Sequence, residues 1–315
     1  MHPAYSVLAF TTLSGAGYGL LIWLSIALVM GGARVGSAVA FVMLVCGLLL
    51  VTAGLLSSML HLGRPERALK AFSQWRTSWL SREGVLAVAT YVPAVALAVL
   101  WLRFAPSDNG YQLLALLLGL GGLATVWCTG MIYASLPTIR AWHHPLVAPG
   151  YVALALATGG VLFVAIRVLS RTSGATEILF ALAVLLSAWA IKTAYWGAID
   201  SAPKPLTPGR ATGLEKFGDV RVLEPPHAGE NFVMREMGYA VARRHAAKLR
   251  QLSVLGLFVV PIVCLLMILI TGGPVAALLA TVATSSAAFG VFAERWLFFA
   301  EARHVVTLYY GAEAA

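Results

Sequence analysis

The sequence predicts an all-α membrane protein: one transmembrane domain, residues 1–315, folded as a bundle of about eight helices. Hydrophobic residues make up 60% of the chain and charged residues only 11%, with a mean hydropathy of +0.84. A soluble domain carries about 25% charged residues. Eight apolar runs are each long enough, at roughly 20 residues, to cross the hydrocarbon core as helices. The short alternating strands of a membrane β-barrel are not visible in the sequence.

The first apolar run is expected to remain as a helix, because no Lys or Arg precedes it and it is too long for the core of a signal peptide. Seven further runs follow. The predicted spans are Leu8–Met30, Val35–Leu60, Glu83–Leu102, Tyr111–Ala134, Val147–Val168, Ala175–Trp196, Leu252–Thr271 and Val275–Phe299.

The positive charges lie mostly on one side of this predicted topology. Sixteen of the 22 Lys and Arg residues are in the second, fourth and sixth loops and the C-terminal tail, and four are on the opposite side. The positive-inside rule therefore predicts a bacterial inner-membrane protein with both termini and the large loops in the cytoplasm. Attraction to anionic lipid explains the net charge of +9, so we expect no nucleic-acid partner.

Two cytoplasmic loops are candidate docking surfaces. The second loop, His61–Arg82, is basic and aromatic, and the sixth, residues 197–251, is the one long polar segment, with a predicted helix at Asn231–Gln251. Long loops with their own structure are usually functional. The residues that we expect to contact partner subunits are Arg76, Glu224, His227, Arg243 and Arg244.

Ionisable residues in or beside the predicted helices gather at one depth. Each costs about 2.5–3.5 kcal/mol within the membrane and so needs a reason to be there. They are His61, Glu83, Lys192, Glu294 and Arg295, with Tyr133 as an uncharged addition. All lie near the cytoplasmic ends of their helices, which predicts a polar pocket in that half of the bundle. For Glu294 and Arg295, an ion pair that packs two helices is an equal alternative.

The pocket residues suit a quinone, whose ring needs an apolar slot, donors to two carbonyls and groups that relay protons. A histidine such as His61 has an unperturbed pKa of about 6.5 and can donate or accept near neutral pH. Tyrosine can bind a carbonyl without bringing charge. Four residues are predicted to line the slot: Met59, Trp79, Trp142 and Trp196. For any one of the tryptophans, an interfacial aromatic belt is the alternative.

The sequence predicts no haem, iron–sulfur cluster or other metal site in this chain. Cys46, Cys128 and Cys264 are isolated in apolar runs, and all seven histidines lie in loops or at helix ends rather than facing each other inside helices. A chain without a redox centre cannot carry electrons across the membrane. It can hold a quinone close to a centre in another subunit.

Two motifs resemble the dimethyl sulfoxide reductase anchor subunit family (DmsC), a relative of the polysulfide reductase anchors. The motifs are Ser58–Pro65 (SMLHLGRP) with Arg67 and Ala68, and Trp79–Glu83 (WLSRE). The resemblance implies that His61 and Glu83 bind the quinol, and Arg64 of the first motif joins the predicted site. It also implies two partners, a molybdopterin catalytic subunit and a ferredoxin-like subunit with 4Fe–4S clusters.

Two other segments are similar to the anchors of cytoplasmic sulfite-oxidising enzymes within this family. They are Val220–Asn231 (VRVLEPPHAGEN) and Glu294–Arg303 (ERWLFFAEAR). This similarity implies that electrons pass from sulfite, through molybdenum and clusters, into ubiquinone or menaquinone.

Three alternatives stay open on the sequence. The chain can be interpreted instead as the anchor of a dimethyl sulfoxide-type reductase that oxidises quinol, or as a structural anchor without a quinone site. The third alternative, from a different class of protein, is a proton-coupled secondary transporter that uses Glu83, Lys192 and Glu294 as a proton relay. Transporters tend to place their sites near the midplane, and the charges here lie at one face.

Overall fold

The computed structural model confirms the predicted all-α class. It describes residues 4–31, 37–60, 64, 66, 68–103, 110–201, 206–221, 223–224, 229 and 245–314. Within these ranges eight helices are long and apolar enough to cross a membrane. They are α1 Tyr5–Gly31, α2 Ser37–Met59, α3 Trp79–Arg103, α4 Gly110–Ala134, α5 Val147–Leu169, α6 Ala175–Asp200, α7 Ala246–Ile270 and α8 Gly273–Ala300.

Several helices extend past their predicted ends on the loop-rich side. α3 begins four residues before Glu83, α6 continues to Asp200, and α7 begins at Ala246 rather than Leu252. Hydropathy falls where a helix enters the interface, although its backbone hydrogen bonds continue, so a hydropathy rule ends the helix too early. The predicted helix of the sixth loop is described only from residue 245, and there it is the start of α7.

Helices α1 and α5 form the centre of the bundle and are the most buried of the eight. α1 packs against α2, α4, α5 and α8, while α5 packs against α1, α4, α6 and α8. At the periphery, α3 lies on α4 and α7 lies on α8. Large apolar side chains on α2 and α3, such as Leu49 and Val92, are exposed at the surface of the bundle, where lipid is the solvent.

Glycines allow two helix pairs to cross in close contact. A Cβ atom on Gly159 of α5 would lie 2.2 Å from the carbonyl carbon of Gly19 in α1, and one on Gly290 of α8 would lie 2.2 Å from the Leu257 nitrogen in α7. Such close approach matters in lipid, because helix association there depends on van der Waals packing rather than on a hydrophobic driving force.

We expect Gly159→Ala to destabilise the bundle by about 1–3 kcal/mol, because the new methyl group forces α1 and α5 apart. Gly150→Ala in the same helix is the matched control, since nothing lies within 4 Å of its added Cβ. Thermal unfolding in detergent measures both. A Gly159→Ala melting temperature equal to that of the control would contradict the packing argument.

One end of the bundle, called the basic face here, consists of residues 60–78, 135–146, 197–250 and 301–314 so far as they are described. Its parts are tied together by direct contacts. Arg250 at the start of α7 pairs with Asp200 at the end of α6 and with Glu301 just after α8. The Val305 amide donates to the Thr138 carbonyl at 3.1 Å. The ends of α4, α6 and α8 therefore meet at one level.

Candidate functional site

Glu83 lies in the second turn of α3 and is buried, with 4% of its surface exposed. The hydroxyl of Thr129 on α4 donates to its Oε1 atom. Within the described part of the chain this carboxyl group has no ion pair. It is therefore a buried acid held by a neutral partner, just below the basic face.

The first turn of α3 is held by Arg82. Its Nε atom donates to the Trp75 carbonyl at 3.0 Å and its Nη2 atom to the Arg76 carbonyl at 2.7 Å. The guanidinium carbon lies 4.3 Å from the ring centre of Trp79, a cation–π distance. These contacts fasten the preceding turn to the helix, which directs Glu83 inward toward α4.

A buried cluster of three charges joins α6 to α8. The Lys192 Nζ atom contacts Glu294 Oε1, and Arg295 Nε donates to Glu294 Oε2 at 2.6 Å. None of the three residues is more than 6% exposed. Removing ions from water costs several kcal/mol each unless they are well paired. Two cations here share one carboxylate, so this cluster has one more positive than negative charge when all three are ionised.

Aromatic rings surround the two cations. Lys192 Nζ lies 4.4 Å from the ring centre of Tyr195 and 4.9 Å from that of Trp196, and the Arg295 guanidinium carbon lies 4.0 Å from the ring centre of Tyr151. The negative faces of these rings offset part of the excess positive charge. The Tyr195 hydroxyl donates to the Ala141 carbonyl at 2.8 Å, which fixes its ring.

Tyr133 connects the charge cluster to the Glu83 side of the bundle. Its ring stacks on Tyr151 with 5.6 Å between centres and meets the edge of Trp142 at 5.1 Å. Thr129, which donates to Glu83, lies four residues earlier on α4 and so on the same helix face. The polar groups thus form one layer rather than two separate sites.

A second, more exposed charge cluster closes the layer at the basic face. Arg250 binds both Asp200 oxygens, at 2.6 and 3.1 Å, and its Nε atom donates to Glu301 Oε1 at 3.1 Å. Burial raises the pKa of the Glu301 carboxyl, while the Arg250 charge opposes that rise. The Arg250 guanidinium carbon also lies 5.5 Å from the Trp196 ring centre.

An apolar groove of about 940 Å³ runs between α4, α5 and α6. It extends from the level of Cys128, Pro149 and Ile191, near the basic face, toward Leu120 and Phe180 deeper in the bundle. Leu120 and Phe180 are about half exposed at the bundle surface, so the groove opens to lipid. Glu83 and Thr129 do not line the groove; on α4 its lining ends at Cys128, the residue before Thr129.

The structure separates the predicted site residues into three groups. Tyr133, Trp142, Trp196, Lys192, Glu294 and Arg295 lie together in the aromatic and charged layer, and Glu83 lies on its α3–α4 side. Met59, Arg64, Arg76 and Glu224 are exposed, and Trp79 is half-buried. His61, His227, Arg243 and Arg244 fall outside the described residues.

Sequence reasoning overlooked several residues of this layer. Thr129 and Tyr151 resemble ordinary residues of an apolar helix, and Tyr195 resembles a member of the interfacial belt. Asp200 and Arg250 lie at opposite ends of the predicted sixth loop, and Glu301 lies in the predicted C-terminal tail, so the sequence gives no sign that the three meet. One signal is present: Tyr151 and Tyr195 lie at the depth predicted for Lys192 and Arg295.

Among the described residues no group of three or more His, Cys, Asp or Glu side chains could hold a metal ion. The four described histidines, His143, His144, His245 and His304, lie outside the eight helices. Burial lowers the pKa of His144 and of His304.

The fold and this layer define a class: a multi-pass membrane protein with a polar site beneath one loop-bearing face. The chain belongs to the DMSO reductase anchor subunit (DmsC) family, whose model matches residues 1–311. It is 33% identical, over 342 residues and the full length of both chains, to the C subunit of a sulfite dehydrogenase of Allochromatium vinosum. The predicted family resemblance is thereby confirmed.

The chain is therefore the membrane anchor of a DmsC-type oxidoreductase. Membership of this family implies a catalytic partner that carries molybdopterin and a second partner that carries iron–sulfur clusters.

Proposed function

We propose that this anchor binds quinone beside Glu83 and exchanges electrons between that quinone and the iron–sulfur partner. The observation that carries the proposal is the Glu83 carboxyl: buried, hydrogen-bonded by Thr129 and without an ion pair in the described chain. An ionisable residue costs about 2.5–3.5 kcal/mol at the centre of a membrane helix, and burying one without an ion pair near the helix end is difficult to explain as packing alone.

The groups around Glu83 supply what quinone chemistry requires. Glu83 can give a proton to a quinone oxygen or take one from a quinol oxygen, and the Thr129 hydroxyl holds the carboxyl in place. From the family resemblance we assign His61 to the second oxygen, with Arg64 nearby in the same motif. Tyr133 and Lys192 lie farther in and serve as proton-relaying groups of the same layer.

The lipid-facing groove fits the apolar part of a quinone. Ligand cavities commonly measure about 300–1,000 Å³ and are mainly apolar with a few polar groups at one end. This groove has about 940 Å³ and is lined by residues such as Trp127, Leu156 and Phe180. On α6 it extends from Phe180 to Ile191, about 16 Å of helix, so a prenyl tail can lie along it.

The basic face is the side on which we place the partner subunits, in the cytoplasm of a bacterium. The charge bias of the loops supports this orientation. Exposed Trp75 beside Arg76, and Phe217 beside Lys216, provide apolar and basic contacts there. The name of the A. vinosum relative favours sulfite as the electron donor.

Co-purification with an activity assay tests the proposal. We expect the chain, extracted in mild detergent, to bring two hydrophilic subunits with molybdenum and iron–sulfur clusters and to support sulfite-dependent quinone reduction. Quinol oxidation by dimethyl sulfoxide instead would reverse the proposed direction. Emergence of the chain alone, with neither activity, would overturn the proposal and favour the transporter alternative.

A further inference from the structure

We propose that the protons exchanged at Glu83 travel to and from the basic face, through Lys192 and two single-water sites on either side of the Tyr151–Arg295 contact. This inference rests on the proposed quinone function and adds to it the side of the membrane and the residues that carry the proton.

The first argument is the charge of the buried cluster. Arginine keeps its proton at any physiological pH, so Arg295 stays a cation. Loss of a proton from Lys192 leaves a neutral Glu294–Arg295 pair, whereas protonation of Glu294 would leave two unpaired cations. Lys192 is therefore the member of the cluster that can change charge at least cost, and a group that readily gains and loses a proton can relay one.

The second argument is the connection from Lys192 outward. The centre of the Trp196 ring lies 4.9 Å from Lys192 Nζ and 5.5 Å from the Arg250 guanidinium carbon. The buried cluster of Lys192 and the more exposed cluster of Arg250 therefore both contact this one side chain. Lys192 and Glu301 are close enough to interact electrostatically. Glu301 is partly exposed beside Asp200, which places a proton-exchanging carboxyl at the water-accessible end.

The third argument is a pair of small cavities that continue inward. Each has a volume of about 20 Å³, enough for one water molecule. The outer cavity is bordered by Lys192, Tyr195, Tyr151 and Arg295. The inner cavity is bordered by Thr11, Ser14, Thr129, Tyr151, Thr158 and Arg295.

Polar groups facing these cavities suit bound water. The Tyr151 side chain interacts with those of Arg295 and Tyr133, but neither its hydroxyl nor Arg295 Nη1 forms a well-directed hydrogen bond in the described chain. Buried water usually satisfies such groups. Thr129 borders the inner cavity and donates to Glu83, so the series of polar groups ends at the proposed quinone site.

Protons and electrons balance for either direction of electron flow. When quinone is reduced, two electrons would come from the partner's iron–sulfur centre. Two protons pass in turn from Glu83, the first to the quinone oxygen beside it and the second by way of His61 to the other oxygen. Each time, Glu83 regains a proton through Thr129, the inner water, Tyr151 and the outer water from Lys192. Lys192 is reprotonated from Glu301 and the aqueous phase. Quinol oxidation runs the same transfers in reverse.

The sidedness of proton uptake tests this route in the intact complex. The complex is reconstituted in liposomes with the basic face outward, and a membrane-impermeant one-electron donor reduces the partner subunits from outside. We expect the outer medium to lose two protons per quinone reduced, with no pH change in the lumen. Alkalinisation of the lumen would overturn the route. Absence of any quinone reduction would overturn the quinone function and the route with it.

Lys192→Met tests the residue itself. The substitution leaves the neutral Glu294–Arg295 pair, so the bundle should still assemble. We expect quinone reduction to slow at least 10-fold, with a larger solvent deuterium isotope effect and an unchanged KM for quinone. Lys248→Met, which removes an exposed lysine at the start of α7, is the matched control.

Two results would count against Lys192 as the relay. An unchanged rate and isotope effect in Lys192→Met would overturn its part in the route. A raised KM with an unchanged maximal rate would assign Lys192 to quinone binding instead. If the variant does not assemble, the sidedness measurement on the unmodified complex still decides whether the protons come from the basic face.

Discussion

Replacing Glu83 with glutamine is expected to lower quinone-linked turnover at least 100-fold while the complex still assembles on the membrane. Glutamine keeps the volume of the side chain and can still accept the Thr129 hydrogen bond, but it cannot exchange a proton. General acid–base groups typically contribute about 10²–10⁴ in rate. The measurement is sulfite-dependent quinone reduction by purified complex, together with subunit stoichiometry and sulfite-driven reduction of the clusters.

Glu66→Gln is the matched control for Glu83→Gln, because Glu66 is an exposed carboxylate in the second loop on the same face. It should leave turnover unchanged. His61→Phe, made in parallel, tests the role that the family resemblance gives to His61. Full quinone activity in both the Glu83 and the His61 variants would remove these residues from the mechanism.

Replacing Glu294 with glutamine is expected to destabilise the bundle by about 3–5 kcal/mol, because it leaves Lys192 and Arg295 without their carboxylate. Thermal unfolding in detergent and the yield of folded protein measure this loss. Lys192→Met should cost much less, since it removes the excess positive charge instead of adding to it. The order of the two effects follows directly from the charge count.

Glu301→Gln provides the comparison at the same end of α8. Glu301 is partly exposed, and in the variant Arg250 still pairs with Asp200. We therefore expect Glu301→Gln to lower the stability of the bundle by no more than about 1 kcal/mol. Equal melting temperatures for Glu294→Gln and Glu301→Gln would show that the Glu294 carboxylate does not compensate the buried cations.

The sequence was sufficient for the number of helices, their class and the family. Eight long apolar runs leave little choice of secondary structure in lipid, because only helices satisfy the backbone within a segment. The positions of Lys192, Glu294 and Arg295 near the same ends of their predicted helices also indicated one depth, where the structure has them in contact. At the basic face the predicted helices ended too early, because the aromatic and charged residues there belong both to the helix and to the membrane interface.

Which helix faces which could not be read from the sequence. These helices are apolar on all sides, so periodicity does not reveal the inward face of α4 or α5. That is why Thr129 and Tyr151, which complete the polar layer, gave no signal of their own. The Gly19–Gly159 contact likewise depends on which helices cross, and a glycine alone does not name its partner. The roles assigned to Glu83, His61 and Lys192 remain predictions.

The pairing of α6 with α8 has a consequence for how the chain is made. Lys192 enters the membrane with α6, but Glu294 is synthesised about 100 residues later. At roughly 5–20 residues per second, about 5–20 s pass before the partner carboxylate exists. During this interval α6 must hold its lysine neutral or directed to the headgroups. The charge cluster that joins α6 to α8 can therefore form only after the last helix has been made.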